Sequence, residues 1–211
     1  MTQALKDYEG LAEDGIIEKW FSKESLENGI IKTEDLINKL NLDNLYREKF
    51  EKDLQDKINM SKDLIKNFDF EIIKKMTIMN SHGDYSVQQL IYKDNGETTV
   101  IDFETAKKLP IIWEVMRSYS YIDRKAKNGE LHIDTLEEYV KEFENYVPLN
   151  EYDLKYAAQL YLIQIVSSTF GYKQYNDNYA KTELLEFALF RTNLCRYLYN
   201  NLEKISARLQ E

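Results

Sequence analysis

Two aspartates, an amide and a histidine are set close together in the run Ser81-His82-Gly83-Asp84, Gln88-Gln89 and Val100-Ile101-Asp102-Phe103-Glu104. Carboxylate and amide oxygens are hard donors, the kind a divalent cation such as Mg²⁺ takes, and a second carboxylate nearby can serve as a base. Phosphoryl transfer from a nucleotide needs both functions, oxygen ligands on the metal and a group that orients the attacking hydroxyl. Asp84, Gln89 and Asp102 are the candidate side chains for these two functions.

These groups converge only if the chain folds back on itself between them. A short β-prone stretch at 77–79 precedes the His-Gly-Asp loop, and apolar-leaning residues fill 87–92. Asp94-Asn95-Gly96-Glu97 is a strong turn signal, and 98–103 is β-branched and apolar. Two short strands about such a turn predict a β-hairpin, which brings the outer ends of its strands to one mouth. Asp84, Gln89 and Asp102 then meet although the two aspartates are 18 positions apart. No other part of the chain reads as convincing β-structure.

The remainder reads as helix. Ile16, Ile17, Trp20 and Phe21 form a short apolar face within 13–21. Thr33 is the expected N-cap of a helix to Leu40. Residues 43–60 place Leu45, Tyr46, Phe50, Leu54 and Ile58 three or four apart, and Ser61 is expected to cap a further helix to Asn67. The stretch 70–76 is ambiguous. Pro110 suits the first turn of a helix over 111–122. Asp134 with Glu137 predicts a capping-box start for a helix to Tyr146. Asn150 is expected to cap a helix reaching Gly171, and a last long helix covers about 181–209. The pattern predicts one mainly α (α+β) domain: lead-in helices over 1–80, the loop and hairpin over 81–104, and a helical subdomain over 105–211.

Composition narrows the class of function. With 43% hydrophobic residues and only 7 Gly and 2 Pro, the chain can build a helical core. The net charge is −9 with both signs interspersed, so no basic stripe offers itself to nucleic-acid phosphates. An acidic protein suits a cationic small molecule. The 16 tyrosines suggest aromatic-lined pockets, with core filling the competing reading at each. Residues 1–14 lack the apolar core of a signal peptide, and no apolar run approaches the ~18 residues of a membrane span, so a cytoplasmic protein with no membrane association is expected. The single cysteine, Cys195, lies in an apolar helical pattern and reads as a buried thiol. Only His82 and His132 are present, too few for a zinc site, and His132 reads as a surface or packing residue.

His82-Gly83-Asp84, Gln89 five residues on, and Val100-Ile101-Asp102-Phe103-Glu104 together resemble the H-G-D-x4-N and I-D-[FW] motifs of the aminoglycoside phosphotransferase and choline kinase family, which has a protein-kinase-like fold. The resemblance implies a helical C-lobe with a hairpin carrying the catalytic loop. It implies Asp84 as catalytic base, His82 as the structural histidine of the loop, and Asp102 with Gln89 on Mg²⁺. The donor would be ATP and the acceptor a hydroxyl of an aminoglycoside-, choline- or amino-alcohol-like molecule. Glu104 and the Trp113-Glu114 pair resemble the family's I-D-F-E and W-E/D segments, with Glu114 expected as an internal hydrogen-bond partner. Glu104, Trp113, Tyr156, Tyr172 and Tyr175 are candidate acceptor contacts. Two departures stand out. Gln89 replaces asparagine and is one methylene longer. The first 80 residues read as helices, with no G-x-G-x-x-G loop and no V-A-I-K-like strand. The expectation is therefore a lobe without its nucleotide-holding half. It would be completed by another chain or a homodimer, or else would persist as a non-catalytic binding lobe.

Overall fold

The computed structural model describes residues 5–9, 11, 15–41 and 45–211. Helices α1 (Ile16–Phe21), α2 (Lys23–Asn38) and α3 (Arg47–Asn67) come first, followed by a 3₁₀ turn at Phe70–Lys75. Strand β1 (Ile78–Ser81) leads into the site, and β2 (Leu90–Tyr92), β3 (Thr98–Val100) and β4 (Lys107–Pro110) follow. Helices α4 (Ile111–Ile122), α5 (Ile133–Glu144), α6 (Glu151–Val166), α7 (Tyr172–Asp177), α8 (Thr182–Asn200) and α9 (Leu202–Leu209) complete the described chain. The protein is thus mainly helical with a small amount of strand. None of its described helices is long and apolar enough to cross a membrane.

The expected hairpin forms. β2 and β3 pair antiparallel, Leu90 with Val100 and Tyr92 with Thr98. Gly96 closes the turn at φ 84°, a backbone region that favours glycine. A second antiparallel ladder, β1 with β4, pairs Ile78 with Pro110 and Ser81 with Lys107. The Lys-Lys-Leu-Pro run of β4 carries no alternating pattern, so this ladder does not show in the sequence. Pro110 is tolerated at its end, and the next N–H, of Ile111, donates to Thr77 O at 2.9 Å.

Several helix boundaries correct the sequence reading. Ser22, not Thr33, caps α2, its Oγ accepting from Ser25 N at 3.0 Å. Thr33 lies buried inside that helix and its hydroxyl donates to Gly29 O at 2.7 Å, one turn back. Helix α3 runs unbroken through Ser61, and residues 42–44 lie outside the described chain. The α5 cap is His132, whose Nδ1 accepts from Thr135 N at 3.4 Å. Asp134 pairs with Arg208 instead, and Glu137 with Lys141 and Arg208. Helix α6 stops at Val166, and Asn201 separates α8 from α9.

Helix α6 is apolar almost all round and forms the centre of the main core, with α4, α8 and α9 against it. Asn150 and Asp153 form its capping box. Asp153 also accepts from Thr77 N at 2.9 Å and Thr77 Oγ1 at 2.5 Å, which fastens the core helix to the entry of β1. The site loop therefore leaves from a strand anchored in the core.

Candidate functional site

His82 organises the loop. It is fully buried and its ring joins two segments. Nε2 lies 2.8 Å from Ile101 O, and Nδ1 accepts from Asp84 N at 3.4 Å. These partners place the ring proton on Nε2, since a carbonyl can only accept and an N–H can only donate. The histidine thus spans from the residue before Asp102 to the backbone of Asp84. Phe103 packs on its ring at 4.7 Å between centroids.

Gly83 allows the close approach this needs. Its φ is 81°, and a Cβ there would stand 2.2 Å from Thr105 O. Thr105 Oγ1 donates to His82 O at 3.1 Å, a further tie across the loop. Beneath it, Glu114 of α4 is 4% exposed and accepts from His82 N at 3.2 Å and Gly83 N at 2.7 Å. A carboxylate receiving two backbone donors holds that backbone as a rigid anion nest would. The sequence expectation of Glu114 as an internal partner describes this contact.

Asp84 projects from the fixed backbone. Arg117 donates to its Oδ1, and Gln89 Nε2 donates to its Oδ2 at 3.0 Å. Arg117 also donates to Tyr85 O at 3.0 Å, and its guanidinium lies 4.8 Å from the Tyr121 ring centroid. Arg117 escaped the sequence reading, although it stands one helical turn after Glu114 on α4 and the two side chains grip successive parts of one loop. Gln89 ends a 3₁₀ turn at Val87–Gln89, and its carbonyl accepts from Ile101 N at 3.0 Å. Asp84, Gln89 and the Asp102 segment are therefore joined by hydrogen bonds. Asp102 itself is exposed at φ 67°, ψ 57°, left-handed and without a side-chain cap bond. A non-glycine residue in that region is unusual and turns the carboxylate out of the strand.

The five acceptor candidates are not gathered here. Glu104 is exposed beside Phe103. Trp113 is 1% exposed in the core, 5.3 Å from Trp20 between ring centroids. Tyr156 packs on Phe68 at 5.9 Å. Tyr172, fully buried, donates to Asp53 Oδ2 at 2.9 Å, and Tyr175 joins it against Phe50 in a second core. Helical spacing sent these rings inward, where apolar area is worth most. Other aromatics flank the loop. A cavity of about 220 Å³ lies between Tyr85, α4 and α5. On the other side, Gln88, Tyr121, Glu183, Glu186 and Phe187 line a wider cleft of about 580 Å³.

The donor set tests the expected metal. Among the described residues no three His, Cys, Asp or Glu side chains cluster as a cation cage. Mg²⁺ seldom needs one, for it commonly keeps several waters and binds through one or two carboxylates plus substrate phosphates. Asp102 is exposed and Gln89 is tied to its segment through the backbone, the Gln89 carbonyl accepting from Ile101 N. No protein-family model and no curated protein sequence matches this chain.

Proposed function

We propose that the chain is the acceptor-side catalytic lobe of an ATP-dependent phosphotransferase that moves the γ-phosphoryl group to a hydroxyl of a small molecule. The observation that carries this reading is the His82 bridge, which makes the Asp84 loop and the Asp102 segment one unit. Asp84 accepts the proton of the attacking hydroxyl as the new O–P bond forms and the β–γ bridge breaks towards ADP. A carboxylate offers about four lone-pair directions, so the bonds from Arg117 and Gln89 orient Asp84 and still leave room for a substrate proton. Asp102 and Gln89 would hold Mg²⁺, which supplies neutralisation of the phosphate charge. The cleft at Gln88 and Tyr121 carries Glu183 and Glu186 against the single Lys127, an acidic balance that suits an acceptor carrying positive charge. The described residues include no glycine-rich phosphate loop, so the nucleotide's outer face would be covered by another chain or segment.

A non-catalytic binding lobe is the second reading. The Arg117–Asp84 ion pair favours it, because it closes Asp84 within the protein's own contacts. Calorimetric titration of Mg·ATP and phosphoryl-transfer assays on amino alcohols and aminoglycosides decide between them. The catalytic reading expects turnover that falls by about 100-fold or more in Asp84→Asn with the fold retained. Wild-type turnover in that variant would sink it. Absence of transfer to every acceptor, with or without nucleotide binding, would favour the second reading.

A further inference from the structure

A cleft of about 470 Å³ opens where the start of α2 meets the end of α6, and it shares no lining residue with the two hollows that flank the His82–Asp84 loop. Trp20 is the one aromatic on its wall among the described residues, and apart from Gly29 every other lining residue is polar. Glu18 and Glu24 stand against Lys19 and Lys32, so the formal charges of the lining cancel. None of these four forms an ion pair among the described residues. The side chains of Asn28, on α2, and Gln164, on α6, have no hydrogen-bond partner there either. The serines of the α2 end are already occupied, Ser22 Oγ accepting from Ser25 N and Ser25 Oγ donating to Ser22 O at 2.8 Å. The frame is held firmly. Trp20 lies 5.3 Å from Trp113 and 6.2 Å from Phe21 between ring centroids. Gly29 is so close to α6 that a Cβ there would stand 2.5 Å from Ser167 Cβ.

We propose that this cleft binds a neutral saccharide of one or two pyranose rings. A hydrocarbon ligand would strand the polar groups of the wall, and the cancelled charge gives no advantage to an ion of either sign. A neutral molecule rich in hydroxyl groups meets both conditions. A pyranose also carries a face of C–H bonds, which an indole ring covers while the hydroxyls at the sugar's edge reach past it. Asn28 and Gln164 each offer a donor and an acceptor side by side, and neighbouring sugar hydroxyls can answer in both directions. The carboxylates accept from the remaining hydroxyls and the ammonium groups donate to them. A volume of about 470 Å³ is within the usual range of small-molecule sites and holds one or two such rings. His82, Asp84, Gln89 and Asp102 are not among the lining residues, so a sugar is held there and not phosphorylated, and the inference stands apart from the phosphotransfer reading.

Calorimetry and saturation-transfer NMR on the full 211-residue chain, without nucleotide, test it with glucose, galactose, mannose, N-acetylglucosamine, maltose and cellobiose as probes. Saturable binding of at least one is expected, with a Kd of about 10 mM or tighter. Asn28→Ala and Gln164→Ala, both outside the buried core, should each weaken it by about threefold or more, as loss of one hydrogen bond would. Trp20→Leu should weaken it by about tenfold, and the two amide variants carry the test if that change in packing unfolds the chain. Phe187→Leu, in the cleft beside the loop, should leave sugar binding unchanged. The proposal is overturned if no probe saturates by about 50 mM, or if neither amide variant weakens binding. It is equally overturned if Phe187→Leu loses the sugar, which would place it beside the loop. Binding of glucosamine or glucuronate more than about tenfold tighter than glucose would also overturn it, since charge and not the neutral ring would then be recognised.

Discussion

Glu114→Gln isolates what holds the His82–Asp84 loop. The substitution keeps the shape of the side chain, so no cavity opens, and only the pattern of donors and acceptors changes. In the wild-type chain both carboxylate oxygens accept backbone N–H groups, from Gly83 at 2.7 Å and His82 at 3.2 Å, in a buried setting. Glutamine can accept one of them through its remaining oxygen, now uncharged. Its NH₂ must face the other, donor against donor. Hydrogen bonds to charged groups contribute about 1.5–3 kcal/mol each, and a buried N–H left unpaired costs about 1–3 kcal/mol, so a loss of about 2–4 kcal/mol is expected. That is a large share of the 5–15 kcal/mol typical of a domain, and with a urea m-value near 2 kcal/mol/M it lowers the midpoint by about 1–2 M. Native-state hydrogen exchange gives the local reading: protection of the His82 and Gly83 amides should fall about 30-fold or more. A midpoint shift below about 0.3 M with unaltered protection at both amides would show that Glu114 does not anchor the loop.

The buried network offers three further tests. Burial pushes the Lys57 amine down to about 8, and the folded chain binds fewer protons than the unfolded one between that value and the ordinary 10.5, so wild-type stability rises with pH through this window. Lys57→Met should therefore lose about 3 kcal/mol relative to wild type between pH 7 and pH 10.5, and parallel denaturation midpoints across that range would refute the charge cost. Gly83→Ala forces a Cβ to 2.2 Å from Thr105 O at a positive φ, and a loss of about 2–4 kcal/mol is expected in thermal or urea unfolding. Burial raises the Asp53 carboxyl, but hydrogen bonds from Lys49, Arg196 and Tyr172 outweigh it and hold the group below its ordinary value. Its stabilisation is thus present at neutral pH and lost in acid below about pH 4, and Asp53→Ala should cost about 3–5 kcal/mol at pH 7 but much less at pH 3.

The sequence by itself determined the features that rest on local rules. Helix dominance follows from apolar residues three and four apart with few glycines and prolines. The β2–β3 hairpin follows from Asp94-Asn95-Gly96, whose turn needs no distant partner. The Asn150 cap and the α4 start after Pro110 are equally local. The approach of the His82–Asp84 loop to Ile101, the residue before Asp102, was legible because the hairpin folds their segments together. Tertiary structure decided the rest. Ser22 and Thr33 are both competent caps, and only the continuous burial of one α2 face, with Gly29 pressed on Ser167, selects the longer helix. Strand β4 has no periodicity of its own and exists because β1 offers an edge. Tyr172 and Tyr175 carry no mark separating a pocket wall from a core. Their fate was settled by Phe50 and Asp53 arriving from α3, more than a hundred residues earlier. Arg117 and the aromatic cavity belong to the same class. Each is made by side chains from the loop, α4 and α5, and a chain read in one dimension shows which groups are available but not which of them a packed interior turns towards one another.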